Sequence, residues 1–331
     1  MTDEATTDRR QGARGGGTPP ADAARARFVD YLFLLRPTAL LPAWVFVVRG
    51  ASLAASDEAA VTFLPAPGTG LALAAVSAAL GGGYILNQIT DIETDRRNDK
   101  LFLLPRGIIT VPAARGLMLA LWAAALLAAP WLPPGARWSL AAALFLAVTY
   151  SAPRVRAKAV PGLDLLWNGL GFGAVSTALG WYAGGGGAEF PTATVAGYAL
   201  AVAGLIASTT IPDVEGDRAE GLRTTGVVLG KGATSLLAVL LMAGAAALGL
   251  LGRDAAGAAA AAVGLALLLN AHLRGTRQAR ILASQGTVVA YALAAGLTAP
   301  YLLVLMVAVA LGARVYYRRR FGIAYPGRGT P

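Results

Sequence analysis

Five side chains with oxygen donors recur at regular spacing in two separate parts of the sequence. Asn87, Asp91 and Asp95 follow one another at intervals of four residues, and Asp213 and Asp217 repeat this interval further along the chain. On a helix, residues four apart lie near one face, so the side chains of each group converge. Clustered carboxylates repel one another unless a cation neutralises them, and small groups of oxygen ligands suit Mg²⁺, which also binds substrate phosphates. The two groups therefore predict a site where Mg²⁺ and a diphosphate lie between two helices.

Both acidic groups stand at the end of an apolar run. The stretch "YILNQITDIETDRRNDK" (84–100) follows the run "GLALAAVSAALGGG" (70–83) and also contains Glu93 and Asp99. Carboxylates are mildly unfavourable at the C-terminal end of a helix, because the helix dipole favours cations there. Solvated charge at a helix end would explain one such group, but two groups with matched spacing favour a functional site. Neighbouring arginine and lysine side chains would bind the phosphate oxygens.

The composition is far more apolar than that of a soluble protein. Of the 331 residues, 56% are hydrophobic and 14% are charged, and the mean hydropathy is +0.58, whereas a soluble chain carries about 25% charged residues. Long apolar runs without β-barrel alternation predict an all-α integral membrane protein. The net charge of +10 lies mainly between the runs, which indicates membrane topology and anionic lipid rather than nucleic acid. The chain has no cysteine, which excludes thiolate metal sites and a cysteine nucleophile.

The apolar runs predict nine transmembrane helices in a bundle. They cover 38–56, 70–91, 113–132, 137–151, 163–183, 191–212, 233–251, 255–273 and 286–316. The second and sixth spans are followed by "DIETDRRNDK" and "DVEGDRAEGL", which share the order Asp, apolar, Glu, any residue, Asp, Arg. This similarity predicts two pseudo-repeated four-helix halves plus a last helix. We assign 1–27 to a disordered tail, 28–321 to the membrane domain and 322–331 to a short C-terminal tail.

Basic residues alternate between the loops. They occur in the N-terminal tail and in the loops after spans two, four, six and eight, and the loops between these carry few. Because basic loops face the cytoplasm, we expect the N-terminus and the acidic cap on the cytoplasmic side of the cell's inner membrane. Two crossings within 286–316 would have about 15 residues each, fewer than the roughly 20 required. We therefore predict one long, tilted or kinked ninth helix there, with the C-terminal tail outside.

Four motifs occur in a fixed order along the chain. "LRP" (35–37) precedes the first span, N-x-x-x-D-x-x-x-D follows at 87–95, "YSAPRVRAK" (150–158) lies between spans four and five, and "DVEGDRAEGLRTTGVVLG" (213–230) follows span six. In order and spacing, over about residues 28–325, these motifs resemble those of the UbiA superfamily of intramembrane prenyltransferases. The resemblance implies that the acidic motifs bind two Mg²⁺ ions and the diphosphate of a polyprenyl donor.

The resemblance also assigns the basic and phenolic side chains near the acidic motifs. It implies that Tyr150, Arg156 and Lys158 contact the diphosphate or shape the active site. Arg36 is a weaker candidate, either for binding the diphosphate or on the acceptor side. Many members carry an arginine in the segment that follows the first motif, here "NDKLFLLPRGIIT" (98–110), and this chain has none at 102–104. Lys100 and Arg106 are the candidates to replace it.

The function implied is Mg²⁺-dependent transfer of a polyprenyl group to a lipophilic or aromatic acceptor, such as a quinone, chlorin, haem or ether-lipid precursor. Mg²⁺ and basic side chains would stabilise the departing diphosphate, and a helical bundle would exclude water. The alternative is an ion-coupled transporter, which predicts charges and broken helices at the bilayer midplane; here the charges stand at span ends. The signature D-x-x-D-G-x-x-A-R of CDP-alcohol phosphotransferases is absent. Acceptor and chain length stay open.

Overall fold

Helices make up nearly all the regular structure of the computed structural model, which describes residues 25–55, 60–97, 100–219 and 221–325. Within those residues there is no β-strand, and the predicted all-α class is confirmed. The helices are α1 (Phe28–Leu34), α2 (Pro37–Ala54), α3 (Pro67–Thr90), α4 (Ile92–Arg97), α5 (Val111–Ala128), α6 (Pro134–Ser151), α7 (Leu163–Asn168), α8 (Ser176–Ala183), α9 (Thr192–Thr210), α10 (Val214–Ala219), α11 (Thr225–Leu251), α12 (Ala255–Arg274), α13 (Arg277–Gly296) and α14 (Pro300–Phe321). A π-helical segment, Gly169–Val175, joins α7 to α8.

Seven of the described helical stretches are long and apolar enough to cross a membrane. They contain α2, α3, α5, α9, α11, α12 and α14. Three other segments approach or reach the length of a crossing: α6, α13 and the run from α7 through the π-helical segment to α8. The part of the chain that the structure describes thus contains ten segments of this size. Most of the predicted tail, residues 1–24, lies outside the described residues, as do residues 326–331.

The prediction of one long ninth helix over 286–316 is wrong. The structure has two helices there, α13 and α14, separated by a turn at 297–299. The hydroxyl of Thr276 caps α13 by accepting a hydrogen bond from Ala279 N at 3.2 Å, so the helix begins well before residue 286. Its first turns carry the polar sequence "RQARILASQ" (277–285), which looks like loop in a hydropathy profile. With these turns included, each helix has the roughly 20 residues that a crossing requires.

The predicted position of the C-terminal tail, opposite the N-terminus, is also wrong. Arg320, in the last turn of α14, forms an ion pair of 3.0 Å with Asp30 of α1. At the other end of α14, the turn before it contacts the end of α2, where the hydroxyls of Ser52 and Thr298 are 3.0 Å apart. Since α14 runs back through the bundle, its C-terminal end emerges on the same side as the N-terminal segment.

Helix α2 occupies the centre of the bundle. Its buried residues belong to two apolar clusters, one shared with α9 and α11–α14 and the other with α3, α5, α6 and α8. It touches α8 backbone to backbone: a Cβ at Gly180 would lie 1.9 Å from the carbonyl oxygen of Val47, and one at Gly50 would lie 2.1 Å from that of Thr177. Small residues permit this approach, as is common in membrane bundles. The two pseudo-repeated halves stay a prediction.

A buried ion pair lies at the opposite end of the bundle from the acidic motifs. The guanidinium of Arg49, near the end of α2, is 2.5 Å from Asp254 at the start of α12. Arg49 Nε also donates to the Tyr198 hydroxyl at 3.1 Å, and that hydroxyl donates to Asp254. Asp254 additionally accepts from Gly257 N at 2.9 Å. The network connects α2, α9 and α12.

Candidate active site

The first acidic motif lies where α3 gives way to α4. Asp91 is the C-terminal cap of α3, with φ −111° and ψ 12°, and α4 starts at the next residue. Hydrogen bonds of helical spacing continue across this break, from Asp91 N to Asn87 O (3.1 Å) and from Asp95 N to Asp91 O (2.8 Å). The three side chains therefore remain on consecutive turns. Asn98 and Asp99 lie outside the described residues.

Two cations from the segment between α6 and α7 lie against Asp91. Lys158 Nζ donates to one carboxylate oxygen, and the guanidinium of Arg156 is 3.4 Å from the other. Burial lowers the pKa of Lys158, and the charge of Asp91 opposes that shift. Arg156 has φ +43°, in the left-handed region that few non-glycine residues adopt. Such backbone strain is frequent at functional sites.

Asn87 connects this ion pair to α6. Its side-chain nitrogen lies 3.0 Å from Ser151 Oγ. With the amide in the opposite orientation, its oxygen accepts from Lys158 Nζ at 3.2 Å and its nitrogen donates to Asp91 at 3.3 Å. The hydrogen-bond network favours the second orientation, because each amide atom then has a complementary partner.

Asp95 is the buried carboxylate of the first motif. It is 9% exposed, and its Oδ2 atom has no hydrogen-bond partner among the described residues. Burial, followed by the negative charge of Asp91, raises the pKa of Asp95 to about 6, although Arg36, Lys158 and Lys100 act in the opposite direction. A buried carboxylate oxygen without a partner, next to a second carboxylate, favours the arrival of a cation.

The second acidic motif follows α9. Asp213 ends a short 3₁₀ turn and is exposed, whereas Asp217 lies in α10, is half-buried and accepts from Thr224 Oγ1 at 3.1 Å. Glu215 lies between them in sequence and pairs with Lys231 instead. Among the described residues, no three carboxylate or histidine side chains form a metal site by themselves. Mg²⁺ is also held by one or two carboxylates together with substrate phosphates, and the buried Asp95 Oδ2, which has no hydrogen-bond partner among the described residues, fits such a ligand.

Sequence reasoning missed Asp164, which positions the segment after the second motif. Asp164 is buried in the first turn of α7, and its carboxylate accepts from both the backbone nitrogen (3.0 Å) and the hydroxyl of Thr225. Thr225 in turn accepts from Gly162 N at 2.7 Å. These bonds fix the start of α11 against α7. The available signal was a lone carboxylate inside the apolar stretch "PGLDLLWN" (161–168).

Arg36 lies between the charged motifs and the apolar interior. It precedes α2 with φ +54°, and its Nε atom is buried without a hydrogen-bond partner in the described part of the chain. Its guanidinium lies 5.3 Å from the centre of the Tyr84 ring. The hydroxyl of Tyr150, on α6, lies 3.4 Å from the side-chain nitrogen of Asn168, which also donates to Asp164 O at 2.7 Å. One cavity is lined by the side chains of Arg36, Tyr84, Tyr150 and Asn168.

This cavity has a volume of about 370 Å³ and extends from the first acidic motif into the bundle. Asn87, Arg36, Tyr84, Tyr150 and Asn168 form its polar end. The rest is mainly apolar and is lined by residues of α2, α3, α6, α9, α13 and the π-helical segment, including Phe46, Phe172, Val202, Leu205, Ile206 and Tyr291. A π-helical turn widens a helix locally and is frequent at functional sites. Here it brings Gly171 and Phe172 to the cavity wall.

Two of the predicted cations have other surroundings. Lys100 is exposed, and its backbone nitrogen donates to Asp95 O at 2.9 Å. The guanidinium of Arg106 lies 4.1 Å from the centre of the Phe102 ring and 5.9 Å from that of Phe321 in α14. The cavity lining includes none of Lys100, Arg106, Arg156 and Lys158, and the last two are positioned by their ion pairs with Asp91.

Comparison with known proteins gives consistent matches. The sequence model of the UbiA prenyltransferase family matches residues 43–280. A lycopene elongase/hydratase of Halobacterium salinarum is 37% identical over 153 residues, which are 44% of this chain and 52% of that protein. A digeranylgeranylglyceryl phosphate synthase of Sulfolobus acidocaldarius is 31% identical over 182 residues, 52% of this chain and 61% of that protein. The chain thus spans about half the length of the curated relatives it matches.

Solved structures share the fold. A UbiA homologue from Archaeoglobus fulgidus, bound to GPP and Mg²⁺, has a TM-score of 0.64 at 22% identity and covers 84% of this chain and 99% of its own. A structure of digeranylgeranylglyceryl phosphate synthase has a TM-score of 0.62 at 19% identity, covering 84% of this chain and 97% of its own. At these identities the likeness establishes the fold alone. Because the family match extends over more than half of the sequence, the chain belongs to the UbiA prenyltransferase family.

Proposed function

We propose that the protein is a membrane prenyltransferase that moves a prenyl group from a prenyl diphosphate to a lipophilic acceptor and releases diphosphate. The observation that carries the proposal is the continuity between charged motif and apolar cavity. Asn87 hydrogen-bonds beside Asp91 and Lys158 and also lines the cavity. A donor with an anionic head and a hydrocarbon tail matches such a site, because each part meets surroundings of its own polarity.

The charged motifs would bind the donor's head. Two Mg²⁺ ions would be held by the first motif (Asn87, Asp91 and Asp95) and the second motif (Asp213 and Asp217). The Mg²⁺ titration described below tests their number. Bound Mg²⁺ would offset the charge that accumulates on the departing diphosphate. Lys158 and Arg156 would donate to phosphate oxygens, with Arg36 and Tyr150 at the cavity mouth. Lys100 and Arg106 are weaker candidates, because Lys100 is exposed and the guanidinium of Arg106 lies over the Phe102 ring.

The cavity would hold the reacting carbon. The C1–O bond of the allylic diphosphate breaks, and its electron pair leaves with the diphosphate. A π bond of the acceptor supplies the electrons for the new carbon–carbon bond, and a proton is then lost from the acceptor. The apolar walls around Phe46, Phe172 and Leu205 exclude water, which would otherwise capture the cationic carbon.

The chemical class of the acceptor is a separate proposal. Quinone, chlorin, haem and ether-lipid precursors all suit a lipophilic cavity. The apolar lining favours a neutral hydrocarbon acceptor, since Arg36 is the sole formally charged side chain among the described cavity residues. The name lycopene elongase/hydratase, printed for three of the curated relatives, supports the same class. A glycerol-phosphate lipid is the second candidate, supported by the name of another relative.

The ion-coupled transporter remains the alternative function. Its charges would line a path through the bilayer, whereas the acidic motifs here lie at one end of the helices, beyond α3 and α9. We place that end and the N-terminus on the cytoplasmic face of the inner membrane, with 28–321 as the catalytic domain. Membrane lipid surrounds this domain, and the basic loops would contact anionic headgroups rather than nucleic acid.

The test is product analysis by mass spectrometry. Purified protein in lipid vesicles is incubated with Mg²⁺ at several concentrations, a series of prenyl diphosphates and three acceptors: lycopene, a quinone precursor and geranylgeranylglyceryl phosphate. We expect Mg²⁺-dependent prenylation of lycopene, and a Mg²⁺ titration fitted with one or two sites. Prenylation of the glycerol phosphate alone would correct the acceptor class. Absence of any product, together with Mg²⁺-independent ion flux, would support the transporter.

A further inference from the structure

We infer that Asp30 and Arg320 are positioning residues that hold Arg36 at the mouth of the cavity, so that the last helix of the chain takes part in binding the donor. The inference rests on the proposed function, because it assigns Arg36 to the diphosphate end of the site. It concerns residues that lie outside the family match at 43–280 and are far from the site in sequence.

The pair between α1 and α14 is buried and fully hydrogen-bonded. Arg320 Nε and its terminal nitrogen lie 3.1 Å and 3.0 Å from the two oxygens of Asp30. Tyr316 Oη donates to Asp30 at 2.8 Å, and Arg27 N donates at 2.8 Å. The Asp30 and Arg320 side chains are 0% and 5% exposed. A two-point arginine–carboxylate contact fixes orientation as well as distance.

A buried ion pair is a poor device for stability alone. Desolvation offsets much of the attraction, and well-packed apolar residues often serve equally well in the same place. A directional pair instead selects one arrangement of two elements. Here it selects the rotation of α14 relative to α1, and the parallel stacking of Phe33 on Tyr316, with ring centres 3.8 Å apart, requires the same arrangement.

Helix α1 leads directly to Arg36. The backbone nitrogen of Arg36 donates to Phe33 O at 3.1 Å, and Phe33 is the residue stacked on Tyr316. Leu34 O accepts from Gln88 Nε2 at 2.8 Å, which ties the same turn to α3 one residue after Asn87. The corner between α1 and α2 is therefore held by α14 on one side and by the helix of the first acidic motif on the other.

Arg36 needs such support. It adopts a left-handed backbone conformation, and its buried Nε has no hydrogen-bond partner within residues 25–55, 60–97, 100–219 and 221–325. Both features cost free energy, and they persist only where the surroundings impose them. The end of α14 acts on this arginine through Phe33, which stacks on Tyr316 and whose carbonyl accepts from Arg36 N.

The experiment measures donor binding, which does not depend on the identity of the acceptor. Calorimetry with geranyl diphosphate and Mg²⁺ gives the Kd for the wild type, Arg320→Ala, Arg36→Ala and the double variant. Arg319→Ala, an exposed arginine in the same turn, is the matched control. We expect Arg320→Ala to weaken binding about tenfold, and Arg319→Ala to leave the Kd within about twofold, as a lost charge-assisted contact predicts.

The double variant distinguishes positioning from general destabilisation. If Arg320 acts through Arg36, removing it from the Arg36→Ala protein has no further effect on the Kd; independent effects would multiply. Hydrogen exchange of residues 28–36 supplies a second readout, and we expect faster exchange in Arg320→Ala than in Arg319→Ala. Multiplying effects, or an unchanged Kd in Arg320→Ala, would overturn the inference alone. A wild type that binds no geranyl diphosphate would overturn the proposed function with it.

Discussion

Lys158 donates a hydrogen bond to Asp91, and Arg156 lies 3.4 Å from the other oxygen of the same carboxylate. The residue proposed to bind Mg²⁺ is therefore neutralised by the protein's own cations when no ligand is bound. Binding of Mg²⁺ and diphosphate would exchange these partners: the carboxylate would turn to the metal, and the lysine and arginine would turn to phosphate. The free protein thereby avoids an uncompensated charge on the partly buried Asp91.

The exchange predicts opposite effects of Lys158→Met on the two ligands. Mg²⁺ alone should bind more tightly, because a competing cation next to Asp91 is lost, and geranyl diphosphate should bind about tenfold more weakly, because a phosphate contact is lost. Calorimetry measures each affinity. Lys231→Met is the control, since Lys231 pairs with the exposed Glu215. Weaker binding of both ligands in Lys158→Met would contradict the exchange.

The two acidic motifs contain aspartates that we assign to the site and glutamates that serve as matched controls. Replacing Asp91, Asp95, Asp213 or Asp217 by Asn should each lower product formation at least about a hundredfold, because charge stabilisation at the leaving group contributes that much in comparable sites. Glu93→Gln and Glu215→Gln should keep activity within a few-fold. Those glutamates lie in the same motifs but pair outward with Arg96 and Lys231.

Product yield at saturating Mg²⁺, normalised to folded protein by size-exclusion chromatography, is the measurement for these variants. The assignment fails if the aspartate and glutamate variants lose activity equally, since charge alone would then account for the result.

Gly180→Ala should destabilise the bundle without touching the site. A Cβ at Gly180 would meet the Val47 carbonyl oxygen, so α8 must move away from α2, at a cost of about 1–3 kcal/mol. Gly116→Ala is the control, because nothing lies within 4 Å of the added carbon. Thermal unfolding in detergent compares the two. Equal midpoints would mean that α2 and α8 are not in backbone contact.

The direction of α14 can be tested by labelling, because the chain has no cysteine. Leu297→Cys, in the exposed turn before α14, and Arg319→Cys, in its exposed last turn, should lie on opposite sides of the membrane. We expect a membrane-impermeant thiol reagent to label Leu297→Cys in intact cells and Arg319→Cys only after lysis. Labelling of both variants in intact cells would contradict this direction of α14 and would support a C-terminal tail on the external side.

The sequence predicted what depends on local spacing. The interval between Asn87, Asp91 and Asp95 survives the break between α3 and α4 because the backbone hydrogen bonds continue through it. The sequence also indicated the segment 150–158, which brings Lys158 to Asp91. Family resemblance rather than periodicity singled out that segment, since no helical pattern contains it.

Pairings between distant elements could not be predicted from spacing. Asp30 and Arg320 are 290 positions apart, and each alone reads as an exposed terminal charge. The role of Asp164 depends on its contact with Thr225 at the start of α11, which spacing in the sequence does not indicate. The split of 286–316 was hidden because the first half of α13 is polar and largely exposed, with only Ala279 and Ala283 buried, so its hydropathy resembles that of a loop.

The buried network of Arg49, Tyr198 and Asp254 constrains the order in which the chain can mature. Arg49 is synthesised 205 residues before Asp254, roughly ten to forty seconds earlier at common rates of translation. During that interval Arg49 lacks this carboxylate partner, and an arginine at the centre of a membrane helix would cost about 2.5–3.5 kcal/mol by insertion scales, an upper bound for Arg49 near the end of α2. Helix α2 can therefore complete this buried network only after the start of α12 has been synthesised. A nascent chain halted before Asp254 would therefore leave Arg49 without this carboxylate partner.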